Sequence, residues 1–79
     1  MDDKEALKEK AREQVVKLRQ LASTDKRVAL SLFQSIKSDE RCGILLSDHT
    51  SATPNRIEVY NQYIRQSRLP KDVKEKLII

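Results

Sequence analysis

Residues 50–60 read Thr50-Ser51-Ala52-Thr53-Pro54-Asn55-Arg56-Ile57-Glu58-Val59-Tyr60, and this segment contains the start of an amphipathic helix. Thr53 is a favourable N-cap, because its hydroxyl can accept a hydrogen bond from a backbone N–H of the first turn. Pro54 suits the first helical position, where no backbone donor is needed and the proline φ is already helical. The segment therefore predicts a helix from Pro54 to about Ser67.

This predicted helix has one apolar side and one polar side. Ile57, Tyr60 and Ile64 recur at spacings of three and four residues, which place them on a single helical face, with Tyr63 at its edge. We expect this face to be buried. The polar side, which is expected to face solvent, carries Asn61, Arg65, Gln66 and Arg68.

Two further helices precede this one. The first is predicted from Asp2-Asp3 to about Ala22, and Val16 lies opposite its apolar stripe. The second is predicted from about Lys26 to Lys37 behind the Ser23-Thr24-Asp25 cap. Leu30 lies off its buried face, and Phe33 is expected at the centre of the core. The stripe of the first helix is Leu7, Ala11, Val15, Leu18, Leu21 and Ala22, and the buried face of the second is Val28, Ala29, Leu32, Phe33 and Ile36.

The segment after the second helix has two interpretations. Ser38-Asp39-Glu40 resembles a cap and first turn, which predicts a short helix from Asp39 to Ser47. Alternatively, Ile44-Leu45-Leu46 after Gly43 could be a short buried strand. A polar loop over residues 47–52 then leads to the Pro54 helix, and a last helix is predicted from Pro70 to about Leu77. That helix should bury Leu69, Val73 and Leu77, while Ile78 and Ile79 either tuck into the core or contact something else.

These elements predict an all-α fold for a single domain spanning residues 1–79. We expect a small compact bundle of four to five helices with orthogonal packing and a long N-terminal helix. Of its 79 residues, 38% are hydrophobic and 35% charged, which is typical of a folded chain with a thin core rather than a disordered one. A homodimer through the first helix is one way to extend so small a core.

The charge distribution points to the C-terminal third. The formal net charge is +4, and residues 53–79 alone contribute +3. Such a basic bias suits nucleic acid or an acidic protein partner. The single cysteine, Cys42, excludes an internal disulfide and fits a cytoplasmic location. No apolar run approaches membrane-spanning length, so no membrane association is expected.

The sequence offers little for catalysis. Asp48-His49 lies beside Ser47, Thr50 and Ser51, but a catalytic triad is assembled across a fold rather than from neighbours in sequence. Cys42 and His49 are the only soft metal ligands, too few for a structural zinc site. No nucleotide-binding or metalloprotease motif occurs. We therefore expect no enzyme activity, no cofactor and no metal.

A helix-turn-helix-like element over residues 39–67 is the leading functional interpretation. The short helix would come first, the loop would form the turn, and the Pro54 helix would enter the major groove of DNA. In this hypothesis Asn55 and Arg56 contact base edges or phosphate, while Arg65, Arg68 and Lys71 neutralise phosphates. The proposed nucleic-acid-binding residues are Ser51, Thr53, Asn55, Arg56, Arg65, Arg68 and Lys71.

Two points argue against that interpretation, and a second class of protein is also compatible with the sequence. The loop is longer than the usual helix-turn-helix turn and has no glycine. The alternative is a small inhibitor or adaptor that binds a protein, which is compatible with the compact size, the mixed-charge first helix and the apolar Leu77-Ile78-Ile79. A continuous basic face would favour nucleic acid, DNA or RNA, whereas scattered charge beside an exposed apolar patch would favour a protein partner.

Overall fold

The chain folds into helices, and a computed structural model describes residues 3–24, 27–47 and 53–79 of it. Within these ranges the structure is all helical, which confirms the predicted all-α class. Four helices have seven or more residues, and one more has five residues. Their orthogonal packing stays a prediction. In chain order the helices are α1 (Asp3–Ser23), α2 (Arg27–Ser38), α3 (Gly43–Ser47), α4 (Pro54–Gln66) and α5 (Lys71–Leu77).

The long first helix spans most of the molecule. Its 21 residues correspond to about 32 Å, and the longest dimension of the structure is 37 Å. α1 packs chiefly on α2, with smaller contacts to α5 and α3. Most of the predicted stripe is buried, with Leu7 and Leu21 half-buried, and Val16 is 40% exposed on the opposite side as expected. The fully or nearly buried stripe residues are Ala11, Val15, Leu18 and Ala22.

The buried face of α2 is narrower than predicted. Ala29, Leu32 and Ile36 form a buried line at spacings of three and four residues. Val28 and Phe33 flank that line on opposite sides, so Val28 is 38% exposed and Phe33 is half-buried. The prediction that Phe33 occupies the centre of the core is therefore wrong.

The chain between α2 and α3 forms a turn, and the predicted helix start at Asp39 is wrong. Ser38 does not cap a new helix, because its hydroxyl donates back to the Gln34 carbonyl at 2.8 Å. The Asp39 carbonyl accepts hydrogen bonds from the backbone N–H groups of Cys42 (3.2 Å) and Gly43 (2.6 Å), and α3 begins only at Gly43. The strand alternative for residues 44–46 is also wrong, since these residues are helical.

α4 begins and ends close to its predicted limits. The Thr53 hydroxyl accepts a hydrogen bond from the backbone N–H of Arg56 at 3.4 Å, and Pro54 is the first helical residue. α5 begins at Lys71, one residue later than predicted, because Pro70 precedes the helix as its N-cap residue. Leu69 and Leu77 are buried and Val73 is half-buried.

Asn61 is buried, although the sequence analysis placed it on the solvent side of α4. Its side chain is paired with the backbone of Ile79: Nδ2 donates to the carbonyl at 3.2 Å, and Oδ1 accepts from the N–H at 2.9 Å. From α1, Gln14 Nε2 donates to the carbonyls of Lys76 (2.5 Å) and Ile78 (3.0 Å). Ile78 and Ile79 are consequently half-buried against the core, which confirms the first of their two predicted placements.

Candidate nucleic-acid interface

The predicted nucleic-acid-binding residues lie at the two ends of α4. Ser51 lies outside the described residues, as do Asp48, His49 and the rest of the predicted turn over residues 48–52. Thr53, Asn55 and Arg56 lie at the start of the helix. The other three follow in order: Arg65 lies near the end of α4, Arg68 in the link, and Lys71 at the start of α5.

The start of α4 offers fewer donors than the sequence interpretation assumed. The Thr53 hydroxyl is already used as the cap, Pro54 has no N–H, and the Arg56 N–H is directed at Thr53. Asn55 is exposed and contributes both its amide side chain and a first-turn backbone N–H, whereas Arg56 is half-buried. Asn55 is therefore the residue at this end that is best placed to contact a ligand.

The end of α4 carries a cluster of exposed cations. Arg65, Arg68 and Lys71 are all exposed and recur every third residue across the link between α4 and α5. The Lys74 ammonium donates to the Arg65 carbonyl at 2.9 Å, which holds α5 against the end of α4. Between residues 65 and 74 the only acidic side chain is Asp72. This corner of the molecule is consequently strongly basic.

A fourth cation joins this cluster from α2. Arg27 and Arg68 both line an open cavity of about 480 Å³ between α2 and the end of α4. The sequence analysis missed Arg27, because only the packing of α2 against α4 brings it near Arg68. No sequence signal pointed to Arg27, because its neighbour Val28 was predicted to be buried. We call Arg27, Arg65, Arg68 and Lys71 the basic edge.

The helix-turn-helix-like element over residues 39–67 stays a prediction, with a smaller first helix than expected. α3 has five residues and packs chiefly on α2. α4 makes its main contacts with α2 and α5. In helix-turn-helix proteins the first helix crosses the DNA backbone while the second lies in the groove. A helix of five residues is only about 7.5 Å long, which leaves little surface for that role.

A polar network that sequence reasoning missed joins the turn before α3 to α4. The Asp39 carboxylate accepts hydrogen bonds from the Arg41 side chain (Nη2 to Oδ2, 2.7 Å; Nε to Oδ1, 3.1 Å) and from the Arg41 backbone N–H at 2.8 Å. The Tyr63 hydroxyl donates to Asp39 Oδ2 at 2.6 Å. Only the presence of an acidic residue at a turn hinted at this network.

This network changes the pKa values of its members. The hydrogen bonds from Arg41, followed by the one from Tyr63, hold the pKa of Asp39 well below its ordinary value of 3.8. The same bond to Asp39 raises the pKa of Arg41 and the pKa of Tyr63. Tyr63 is half-buried and committed to this structural contact. It is consequently poorly placed to stack on a nucleic-acid base.

Two other reactive side chains are shielded from solvent. Cys42 is fully buried, and burial is the main cause that raises the pKa of its thiol to about 11. Tyr60 is also fully buried, and its loss of solvent contact raises the pKa of the phenol. Among residues 3–24, 27–47 and 53–79, no group of three His, Cys, Asp or Glu side chains could hold a metal ion.

Comparison of the chain with protein-family models, curated proteins and solved structures found no match. In the part of the chain that the structure describes, no helix is long and apolar enough to cross a membrane.

Proposed function

We propose that the protein is a non-enzymatic regulator that binds nucleic acid through the basic edge and the first turn of α4. The observation that carries this proposal is a group of exposed cations: Arg65 near the end of α4, Arg68 in the link, Lys71 at the start of α5, and Arg27 of α2, which lines a cavity together with Arg68. Lys and Arg side chains that neutralise phosphates supply most of the affinity of sequence-independent nucleic-acid binding.

The length of α4 allows its two ends to contact different parts of a nucleic acid. Asn55 and Arg65 are ten residues apart, or about 15 Å along the helix axis. The major groove of B-DNA is about 12 Å wide, so one end of α4 can enter it while the other reaches a phosphate strand. In this proposal Asn55 and Arg56 contact base edges or phosphate, with Ser51 and Thr53 adjacent. Arg65, Arg68, Lys71 and Arg27 contact phosphates.

The test is fluorescence anisotropy of a labelled random-sequence duplex titrated with the protein at several salt concentrations. We expect binding that weakens steeply as salt rises. The double variant Arg65→Ala/Lys71→Ala should bind more weakly. The slope of its log K against log salt concentration should be shallower by the amount that corresponds to the loss of about two phosphate contacts. An RNA duplex and a single strand of the same length, titrated in parallel, distinguish DNA from RNA.

The matched control removes two cations elsewhere on the surface. Lys10 and Arg12 are exposed on α1, and neither lines a cavity that contains a residue of the basic edge. The variant Lys10→Ala/Arg12→Ala has the same net charge as the test variant. If both double variants lose affinity and salt dependence equally, the effect is one of net charge and the proposed site is wrong. Absence of binding at low salt would contradict the function as a whole.

Glu58 provides an independent check on α4. This carboxylate is exposed on the surface between Asn55 and Arg65. If α4 faces nucleic acid, the negative charge of Glu58 repels phosphates, and Glu58→Gln should tighten duplex binding. An unchanged or weaker affinity would indicate that this face of α4 lies away from the nucleic acid.

Binding of an acidic protein partner is a second candidate function, and a specific observation favours it. Val28 is 38% exposed and lines a cavity of about 380 Å³ together with Leu21, Val73 and the two arginines Arg27 and Arg68. Partly exposed aliphatic side chains grouped in a concave site are typical of protein-binding surfaces.

The homodimer through the first helix stays a proposal. Val16 is 40% exposed on the outward side of α1 and is a large apolar side chain available for such a contact. Sedimentation equilibrium over a range of concentrations tests it: a dimer that Val16→Glu dissociates supports the proposal. A monomer at all concentrations contradicts it.

A further inference from the structure

A shallow trough runs along α2, from the end of α4 to α1 and α5. It consists of three adjoining cavities of about 480, 380 and 370 Å³. The first and second share Arg27, Val28 and Arg68, and the second and third share Leu21 and Val73. We call these three cavities together the trough.

The floor and walls of the trough are largely aliphatic. Leu32, Leu69 and Leu77 lie in its floor and are at least 92% buried. Val28 lines the first two cavities and is 38% exposed, while Leu21 and Val73 are half-buried. Aliphatic surface that is only partly covered gains about 25 cal/mol for each Å² removed from water when a partner binds. The trough therefore favours a ligand with aliphatic side chains.

The charges around the trough have one sign. Among the described residues, its lining contains the four cations Lys17, Arg27, Arg68 and Lys76, and no acidic side chain. Nine of the 12 acidic residues of the chain lie in the ranges that the structure describes, and none of those whose side chains are described lines the trough. The cations come from α1, α2, the link before α5, and α5 itself, and they lie along the trough rather than at one point. A ligand must match them with several negative charges.

The aliphatic lining distinguishes this surface from a nucleic-acid groove. Binding of unpaired bases uses exposed aromatic side chains for stacking. The trough contains one aromatic residue, Tyr63, whose hydroxyl is held by Asp39 at 2.6 Å. Aliphatic anchors flanked by charge are instead the pattern by which grooves recognise amphipathic helices.

We infer that the trough binds an acidic amphipathic helix of a partner protein. Leucine or isoleucine side chains of the bound helix, spaced three and four residues apart, would lie over Val28, Leu21 and Val73. Its Asp and Glu side chains would pair with Arg27, Arg68, Lys17 and Lys76. The α2 part of the trough, from Ser35 to Arg27, is about 12 Å long and accommodates roughly two turns of such a helix. This inference rests on the second candidate function and is independent of nucleic-acid binding.

The test uses a designed probe of stated chemistry. This is a labelled helical peptide of about four turns with a leucine stripe at spacings of three and four residues and glutamate on both flanks. A second peptide of the same composition in scrambled order lacks the stripe. Anisotropy should show saturable binding of the first peptide and at least about tenfold weaker binding of the second. Backbone amide NMR shifts should change at Leu21, Val28 and Val73.

The decisive variant is Val28→Glu, with Leu30→Glu as its matched control. Both residues lie on α2 and are exposed, by 38% and 47%, so neither variant empties the core. Val28 lines the trough and Leu30 does not. Val28→Glu places a negative charge under the acidic helix and should weaken peptide binding at least about tenfold, because like charges at an interface are strongly unfavourable. Leu30→Glu should bind as the unmodified protein does.

Several outcomes would overturn the inference. These are equal binding of the striped and scrambled peptides, equal effects of the two variants, or no saturable binding at millimolar peptide. Self-association of the protein that Val28→Glu abolishes would assign the trough to a second copy instead. Displacement of the peptide by a DNA duplex that persists in the Arg27→Ala/Arg68→Ala variant, which lacks the two residues shared with the basic edge, would assign the trough to nucleic acid. If the protein binds the peptide but not the duplex, only the nucleic-acid proposal is contradicted. The two proposals can therefore be tested independently.

Discussion

At the residue scale, Asp39 organises the link between α2 and α3. Its carboxylate accepts from the side chain and backbone of Arg41 and from the Tyr63 hydroxyl on α4, while its carbonyl accepts from Cys42 and Gly43. The turn therefore depends on the charged form of one side chain, which should make its contribution to stability depend on pH.

The sign of that dependence follows from the lowered pKa of Asp39 in the folded protein. The contribution is fully present above the ordinary value of 3.8 and is lost as pH falls below it towards the lower folded pKa. We expect Asp39→Asn to reduce the free energy of unfolding at neutral pH and to flatten its decline in acid. Urea unfolding followed by circular dichroism at a series of acidic pH values measures this. Glu40→Gln, at the exposed neighbouring carboxylate, is the control and should retain the steep decline.

Gly43 is a second residue on which this link depends. A Cβ built on it would overlap the Lys37 backbone carbonyl oxygen and lie 3.2 Å from the carbonyl carbon. Because the obstacle is backbone, it cannot move aside as a flexible side chain would. Gly43→Ala should therefore lower the free energy of unfolding by about 1–3 kcal/mol, although alanine is the better helix former. Urea unfolding measures the change, and the exposed Ser35→Ala is the control. A Gly43→Ala protein of unchanged or higher stability would contradict this account of the turn.

At the element scale, α4 acts both as a surface helix and as the anchor of the C-terminal residues. The Asn61 side chain forms two hydrogen bonds with the backbone of Ile79, one as donor at 3.2 Å and one as acceptor at 2.9 Å. Gln14 on α1 holds the carbonyls of Lys76 and Ile78. Together these two amides attach the end of the chain to helices that lie far from it in sequence.

Removal of one amide should release this attachment. Asn61→Ala leaves the Ile79 N–H and carbonyl without their side-chain partners, and we expect a loss of about 1–3 kcal/mol in the free energy of unfolding. Hydrogen exchange of the Ile79 amide should accelerate as well. Gln62→Ala, at the exposed neighbouring position, is the control for helix propensity and should change neither quantity appreciably. Unaltered exchange at Ile79 in Asn61→Ala would mean that the observed pair contributes little to the attachment.

The helices also show which features of the fold could be predicted from the sequence and which could not. Local signals located α1, α2 and α4 to within one or two residues, because caps and helical periodicity are properties of neighbouring residues. The start of α3 was misplaced, since Ser38 bonds backwards and Asp39 bonds to Arg41 and Tyr63. The burial of Asn61 depends on a partner 18 residues away, and periodicity alone could not reveal it.

The same distinction between neighbours in sequence and contacts made by packing applies to the candidate sites. Arg65, Arg68 and Lys71 were predicted from the charge of one segment, and the structure shows all three exposed. Arg27 and the trough were missed, because the trough unites residues of α1, α2 and α5 that have no common sequence signal. Exposed aliphatic residues are common in helices, and only the packing shows that Val28 lies beside Leu21 and Val73 rather than alone.

At the scale of the whole molecule, the basic edge and the trough meet at Arg27 and Arg68. Both residues are exposed members of the basic edge, and both line the first two cavities of the trough. Arg65 and Lys71 line none of the three cavities, and Val28 lies outside the basic edge. The two proposed surfaces consequently share two cations and differ in their other residues.

That overlap predicts competition between the two proposed ligands. Arg68→Ala should weaken both the random-sequence duplex and the striped acidic peptide. In contrast, Arg65→Ala/Lys71→Ala should weaken only the duplex, and Val28→Glu should weaken the peptide more than the duplex. For the unmodified protein, saturating peptide should lower the apparent duplex affinity, because the peptide carboxylates occupy Arg27 and Arg68 and add negative charge beside the phosphate contacts. Anisotropy titrations of labelled duplex with and without peptide measure this coupling. Simultaneous binding of both ligands at undiminished affinity would contradict the sharing of Arg27 and Arg68 and separate the two surfaces completely.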